Sequence, residues 1–174
     1  MFDDINFISK NMPKDSDMLS LYVRTDTAAL MYLRDDFIIT RCSVMNASRG
    51  GMGSTVSISG KLFIPGFDSK NMISTYTGSS KAALREIAES YGIGFSFNDY
   101  DDTDDFMTWL QCRENMETFI PKIVKHAWKD ETSFFSAWID LYYDLCYVNV
   151  NKFLLSTEND EEVDITFATG ILNM

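Results

Sequence analysis

The sequence predicts an α+β fold: a β-rich N-terminal part, then a small insertion-type domain of two helices packed on short strands and a hairpin. Three observations predict it. Apolar residues recur at every second position before Pro65, the period of a strand. Two stretches between Ser79 and Trp128 switch to helical spacing. The order is strands, then helix and strand, then strand, helix and hairpin, which is not a regular βαβ alternation. The boundaries that follow are 1–78 for a β-rich, barrel-like part, 79–155 for the α+β domain, and 156–174 for an acidic linker and a terminal strand.

Leu19, Leu21 and Val23 alternate with Ser20, Tyr22 and Arg24, which predicts a half-buried strand. "FIITRCSVM" and "TVSISGKLFIPG" flank the glycine-rich "NASRGGMGST", so a hairpin with a long tip is expected, ended by Pro65-Gly66. In "GSSKAALREIAESYGIGFSFN" a serine at 79 or 80 can accept from free first-turn amides. Ala83, Leu84, Ile87, Ala88 and Tyr91 then share one helical face, and Gly92 sits where a left-handed C-terminal residue is wanted. "IGFSFN" reads as a short strand, "NDYDDTDD" as a solvated acidic loop and "FMTWLQC" as another strand.

The second helix carries Phe119, Ile120, Ile123, Val124, Ala127 and Trp128 on its apolar face. Pro121 requires either a start near Thr118 or a kink, because proline lacks the amide and crowds the carbonyl four residues back. "SFFSAWID" and "LCYVNVNKFLL" predict a hairpin packed on that helix. Phe135, Ala137 and Ile139 share one of its faces, and Phe134, Ser136 and Trp138 the other; Cys146, Val148 and Val150 alternate with Tyr147, Asn149 and Asn151. Both faces are largely apolar, so the ribbon is either central or sandwiched against a partner. "DITFATGIL" near the C-terminus reads as a last strand.

The 174 residues are 45% hydrophobic and 14% aromatic, enough for a substantial core. A net charge of -11 repels phosphate backbones and argues against nucleic-acid binding. No apolar run reaches the roughly 18 residues of a membrane helix, and "MFDDINFISKNM" lacks the basic and apolar regions of a secretion signal. Cys42, Cys112 and Cys146 are isolated, which predicts reduced thiols rather than a disulfide framework.

Reactive constellations are not visible. His126 is the sole histidine and has no cysteine or carboxylate pair beside it, so no catalytic triad or metal centre is expected through it. A calcium loop needs Gly at its sixth position and Glu at its twelfth. Counted from Asp99 these are Asp104 and Leu110, and from Asp101 they are Phe106 and Cys112. "SRGGMGS" lacks the GKS or GKT of a phosphate loop and leads into a strand rather than a helix. No pair among the 26 acids has a distinctive setting for glycoside hydrolysis. The cluster Glu158, Asp160, Glu161, Glu162 and Asp164 reads as a solvated linker. The expectation is a non-enzyme without catalytic residues, metal or cofactor.

Three phrases carry a resemblance: "SISGKLFIPG", "TGSSKAALREIAESYGIGFSFN" and "DDTDDFMTWLQCRENMETFIPKIVKHAWKDETSFFSAWIDLYYDLCYVNVNKFL". Over roughly Ile58 to Leu154 the chain resembles baseplate hub proteins of large contractile-tailed bacteriophages and, more distantly, late-control tail proteins. The resemblance implies a strand entering an insertion domain, a strand ending in Gln111, and a hairpin closing on an aromatic phrase. It implies a structural, non-enzymatic role in a virion baseplate assembled in the host cytoplasm. There the chain would connect tail tube and central spike, as a homo-oligomer, a trimer, among other tail subunits. Hub proteins are longer and carry two tube-like β-barrels, so a fragment or a reduced version is expected. Trp138, Tyr142, Tyr143 and Tyr147 are the expected partner-binding residues, since aromatic-rich, charge-poor patches suit such contacts. The alternatives are an acidic phage-encoded decoy or inhibitor and a small ligand-binding α+β domain.

Overall fold

A computed structural model of the chain describes residues 2–3, 13–23, 33–46 and 54–155. In chain order these form β1 (Phe2–Asp3), β2 (Met18–Val23), β3 (Leu33–Asn46), β4 (Ser54–Leu62), β5 (Met72–Gly78), α1 (Ser80–Tyr91), β6 (Gly94–Phe97), β7 (Met107–Glu114), α2 (Met116–Lys125), β8 (Phe135–Ile139), β9 (Asp144–Asn149) and α3 (Val150–Leu155). The fold is α+β and rich in strands, as the sequence predicts. The expected acidic linker and the strand "DITFATGIL" lie outside the described residues, as does the tip of the glycine-rich loop.

The first sheet is antiparallel, in the order β1-β4-β3-β2. β3 and β4 are the expected hairpin, with a register shift between Ile39 and Arg41. β2 forms as a strand, but all six of its residues are exposed. The expected half-burial therefore fails among the described residues: alternation reports which side chains share a face, not whether anything covers that face.

β5 pairs antiparallel with β7 as a two-stranded ribbon. The third sheet has the order β6-β9-β8, with β6 parallel and β8 antiparallel to β9. Strand β5, read with the first part of the chain, thus pairs inside the second. The core lies between these small sheets and two helices, and it holds Leu84, Ile87, Trp109, Met116, Phe119, Ile123, Phe135, Leu145 and Tyr147.

α1 has both ends the sequence predicts. Ser79 accepts from the Ala82 amide at 3.2 Å, and Gly92 takes φ 66° at the C-terminus, bonding back to Ala88 and Glu89. α2 begins two residues earlier than Thr118, capped by Asn115, whose Oδ1 accepts from the Thr118 amide at 3.0 Å. Pro121 therefore lies in the second turn, and Trp128 lies beyond the helix, exposed.

In the hairpin Phe135 pairs with Asn149, Ala137 with Tyr147 and Ile139 with Leu145. Phe135, Leu145 and Tyr147 face the core, and Phe135 stacks on Tyr147 with ring centroids 5.0 Å apart. Val150 to Leu155 form helix α3 where a continued strand is expected. Asn149 is the cause: its Oδ1 accepts from the Lys152 amide at 3.3 Å, as a helix cap does.

One residue sits at a cost. Asp35 on β3 is 0% exposed, and neither carboxylate oxygen has a hydrogen-bond partner among the described residues. Burial, then the nearby charges of Asp36 and Asp140, raises its proton affinity. Between about pH 3.9, the unfolded value, and the raised folded value, the folded state holds the extra proton. Stability therefore falls as pH rises through that window and stays lower above it. Asp35→Asn is expected to raise the thermal midpoint at pH 7 and to flatten its decline above pH ~4, read by circular dichroism. An unchanged profile would show that Asp35 is compensated.

Candidate interaction surface

The acidic loop 98–105 is the best-built polar feature among the described residues, and part of it faces inward. Asp99, Thr103 and Asp105 are buried, which corrects the solvated reading for these three, while Tyr100, Asp101, Asp102 and Asp104 are exposed as that reading expects. Lys81, on the first turn of α1, lies buried beneath the loop. Its ammonium donates to the carbonyls of Asp99 at 2.8 Å, Tyr100 at 2.9 Å and Asp101 at 3.2 Å. The same ammonium lies 4.2 Å from the centre of the Phe97 ring. Desolvation lowers its pKa, opposed by Asp102, Asp99 and Asp101.

Asp99 gathers the other side of the loop. Its carboxylate accepts from Lys129 Nζ at 2.8 Å, Lys152 Nζ at 3.0 Å, Asn149 Nδ2 at 3.3 Å and the Asp101 amide at 3.3 Å. Burial alone would raise its pKa; these donors outweigh it and hold the carboxyl well below the usual range. Asp105 ties the start of α1 to the segment that follows α2. One oxygen accepts from the Ser80 amide at 3.0 Å and the other from the Trp128 amide at 3.2 Å. Ser80 Oγ then meets Thr103 Oγ1 at 3.0 Å and the Tyr147 hydroxyl at 2.9 Å.

The four residues expected to bind partners divide. Trp138 on β8 is 48% exposed and Tyr142 in the following turn is 78% exposed. Tyr147 is 3% exposed; its ring stacks in the core, so it offers no surface, which corrects that expectation. Tyr143 occupies a left-handed turn position, φ 60°, which non-glycine residues adopt at some strain. Its hydroxyl accepts from the Asp36 amide at 3.2 Å, so it links the β8–β9 turn to the first sheet. Strand alternation separates Tyr147 from its neighbours on β9, but no periodicity shows which face is inward.

The exposed partners of Trp138 escape sequence reading. Among the described residues β8 is an edge strand of its sheet. The bonds Val150 N to Phe134 O and Asp140 N to Asp144 O fix which residues pair with β9. By alternation, the backbone groups of Phe135, Ala137 and Ile139 point away from β9, and they have no partner among the described residues. Two adjoining clefts of about 390 Å³ and 210 Å³ run between this edge and α2. Ile120 and Pro121 line both, with Val124 and Lys125 at one end and Glu117 and Trp138 at the other.

Other candidates carry less. His126 is an exposed helix C-cap. Among the described residues no group of three or more His, Cys, Asp or Glu side chains could hold a metal. All three cysteines are free, and burial, then the charge of Asp140, pushes the Cys146 thiol up to about 11. No described helix is long and apolar enough to cross a membrane.

Two outcomes test this assignment. Asp99 contributes stability above pH ~4 that is lost as pH falls below it through the depressed folded value. In Asp99→Asn the acid limb of the thermal midpoint should flatten between about pH 4 and 2; an identical acid limb would mean that the lysines do not stabilise the charge. Tyr147→Ala should cost about 3–5 kcal/mol in urea unfolding, and Tyr142→Ala within about 0.5 kcal/mol. Equal losses would refute the division into core and surface.

No protein-family model matches the chain, and no curated protein matches it. Among solved structures it is similar to the crystal structure of prophage tail protein gp18 from Listeria monocytogenes EGD-e. The match has 11% identity and a TM-score of 0.38, and covers 75% of this chain. The chain spans 40% of the length of that protein.

Proposed function

We propose that the chain is a non-enzymatic structural component of a bacteriophage tail, a hub-like baseplate piece joining tail tube and central spike in a homotrimer. The observation that carries this reading is how the polar and apolar groups are used. The buried polar residues of the loop, Asp99, Thr103 and Asp105, are spent on internal bonds. Large apolar side chains remain outside: Leu19, Leu21 and Tyr22 on β2, Ile73 and Leu110 on the β5–β7 ribbon, and Trp138 and Tyr142 on the hairpin. Apolar surface on strand edges suits permanent assembly. The phrase resemblance between Ile58 and Leu154 names the kind of assembly.

The same use of charge weighs against a decoy, because a phosphate mimic needs its acids outward and evenly spaced. Asp99 and Asp105 are turned in. Co-expression with the tube and spike proteins of the encoding phage tests the proposal. The expected result is a co-purifying complex in which electron microscopy finds this chain at the tube–spike junction. Absence of the chain from purified tails would overturn it.

A further inference from the structure

We infer that the open edge of β8 is a docking site for strand β2 of a second copy of this chain, laid parallel to β8 over the cleft against α2. Three observations select this occupant. First, β2 has the complementary defect. Among the described residues it is an edge strand of its sheet. The bond from the Ile39 amide to the Asp17 carbonyl sets its phase, so the backbone groups of Met18, Ser20 and Tyr22 point outward and have no partner among the described residues. Second, the lengths and side chains fit. β2 has six residues and β8 five. Leu19, Leu21 and Val23 share the face that would meet Ile120, Pro121 and Val124, while Met18 and Tyr22 would lie beside Phe134 and Trp138. All these β2 side chains are exposed in the single chain.

Third, charge selects the direction. Lys125 borders the cleft at the start of β8, and Glu117, already held by Lys61, borders it at the end. Asp15 and Asp17 precede β2, and Arg34 lies over Tyr22 near its end. Parallel pairing sets Asp15 and Asp17 against Lys125, and Arg34 towards Glu117. Antiparallel pairing would set acid against acid. Parallel ladders are slightly weaker per residue, so the charges and the apolar contacts must decide.

Because β2 and β8 are different surfaces, the contact is head-to-tail and closes into a ring or extends as a filament. This inference deepens the hub reading but fails separately from it: self-pairing is measured on the purified chain alone, and tail incorporation is measured with tube and spike proteins. Light scattering across a concentration series is the experiment. The wild type is expected to grow reversibly beyond a monomer. Lys125→Glu should weaken that association at least tenfold, and adding Asp15→Lys to the same chain should restore it. Both side chains are exposed, and circular dichroism checks that each variant folds. A monomer at the highest soluble concentration would overturn the inference. So would assembly unchanged by Lys125→Glu, or a double variant no better than the single one; either would mean that another surface or partner covers these edges.

Discussion

The fold depends on an acidic loop that turns two of its five carboxylates, Asp99 and Asp105, inside the protein. Residues 98–105 carry Asp99, Asp101, Asp102, Asp104 and Asp105, and left alone such a run would extend into water. Lys81 prevents this by binding three successive carbonyls of the loop rather than its carboxylates. That fixes the backbone and leaves the side chains free for other work. Asp99 then accepts from Lys129 and Lys152, and Asp105 from the first amide of α1 and from Trp128. The start of α1, the segment that follows α2, strand β9 and helix α3 therefore meet at one loop. An uncompensated buried carboxylate is costly, as at Asp35, but in this loop Asp99 and Asp105 each have two or more donors, which is the condition under which such networks are stabilising.

With the loop fixed, the aromatic ribbon has no freedom of face. Asn98 and Asn149 bond reciprocally, at 2.9 Å and 2.8 Å, and set the parallel pairing of β6 with β9. Gly94 opposes Asp144, and a Cβ there would lie 1.7 Å from the Asp144 carboxylate as it stands, so a larger residue would require that side chain to rotate away. Phe135, Leu145 and Tyr147 then go to the core, and Phe134 and Trp138 must go out. The exposed aromatics follow from strand geometry as much as from any need for a partner.

What the sequence discloses and what it hides divide by range. Ser79 and Gly92 act within one turn of α1, so the helix was legible at both ends. The β3–β4 hairpin was legible because its alternation is local. The fate of the acidic loop was not: Lys129 and Lys152 stand 30 and 53 residues from Asp99, and no spacing rule joins them. Val150 to Leu155 were hidden differently. The β-period of "CYVNVN" masks Asn149, which is at once the last residue of a strand and the cap of a helix. Of the four aromatic residues, exposure was legible for none. Trp138 and Tyr147 belong to the same two-stranded ribbon, and only the register with β9 distinguishes them.

The net charge of -11 acquires a role once the inward acids are set apart. Open strand edges with apolar side chains invite indiscriminate pairing, and natural proteins commonly guard such edges with charge. Here the repulsion acts at a distance between any two copies and falls off within about 10 Å at moderate salt. It opposes every approach except one that puts a cation against an acid at close range. Among the described residues no acid pairs with Lys125, whereas Lys61, Lys122, Lys129 and Lys152 are each held by a carboxylate of the same chain. An exposed lysine left free at the mouth of an apolar cleft, on a chain this acidic, gives that edge a direction and a selectivity which the apolar contacts alone would lack.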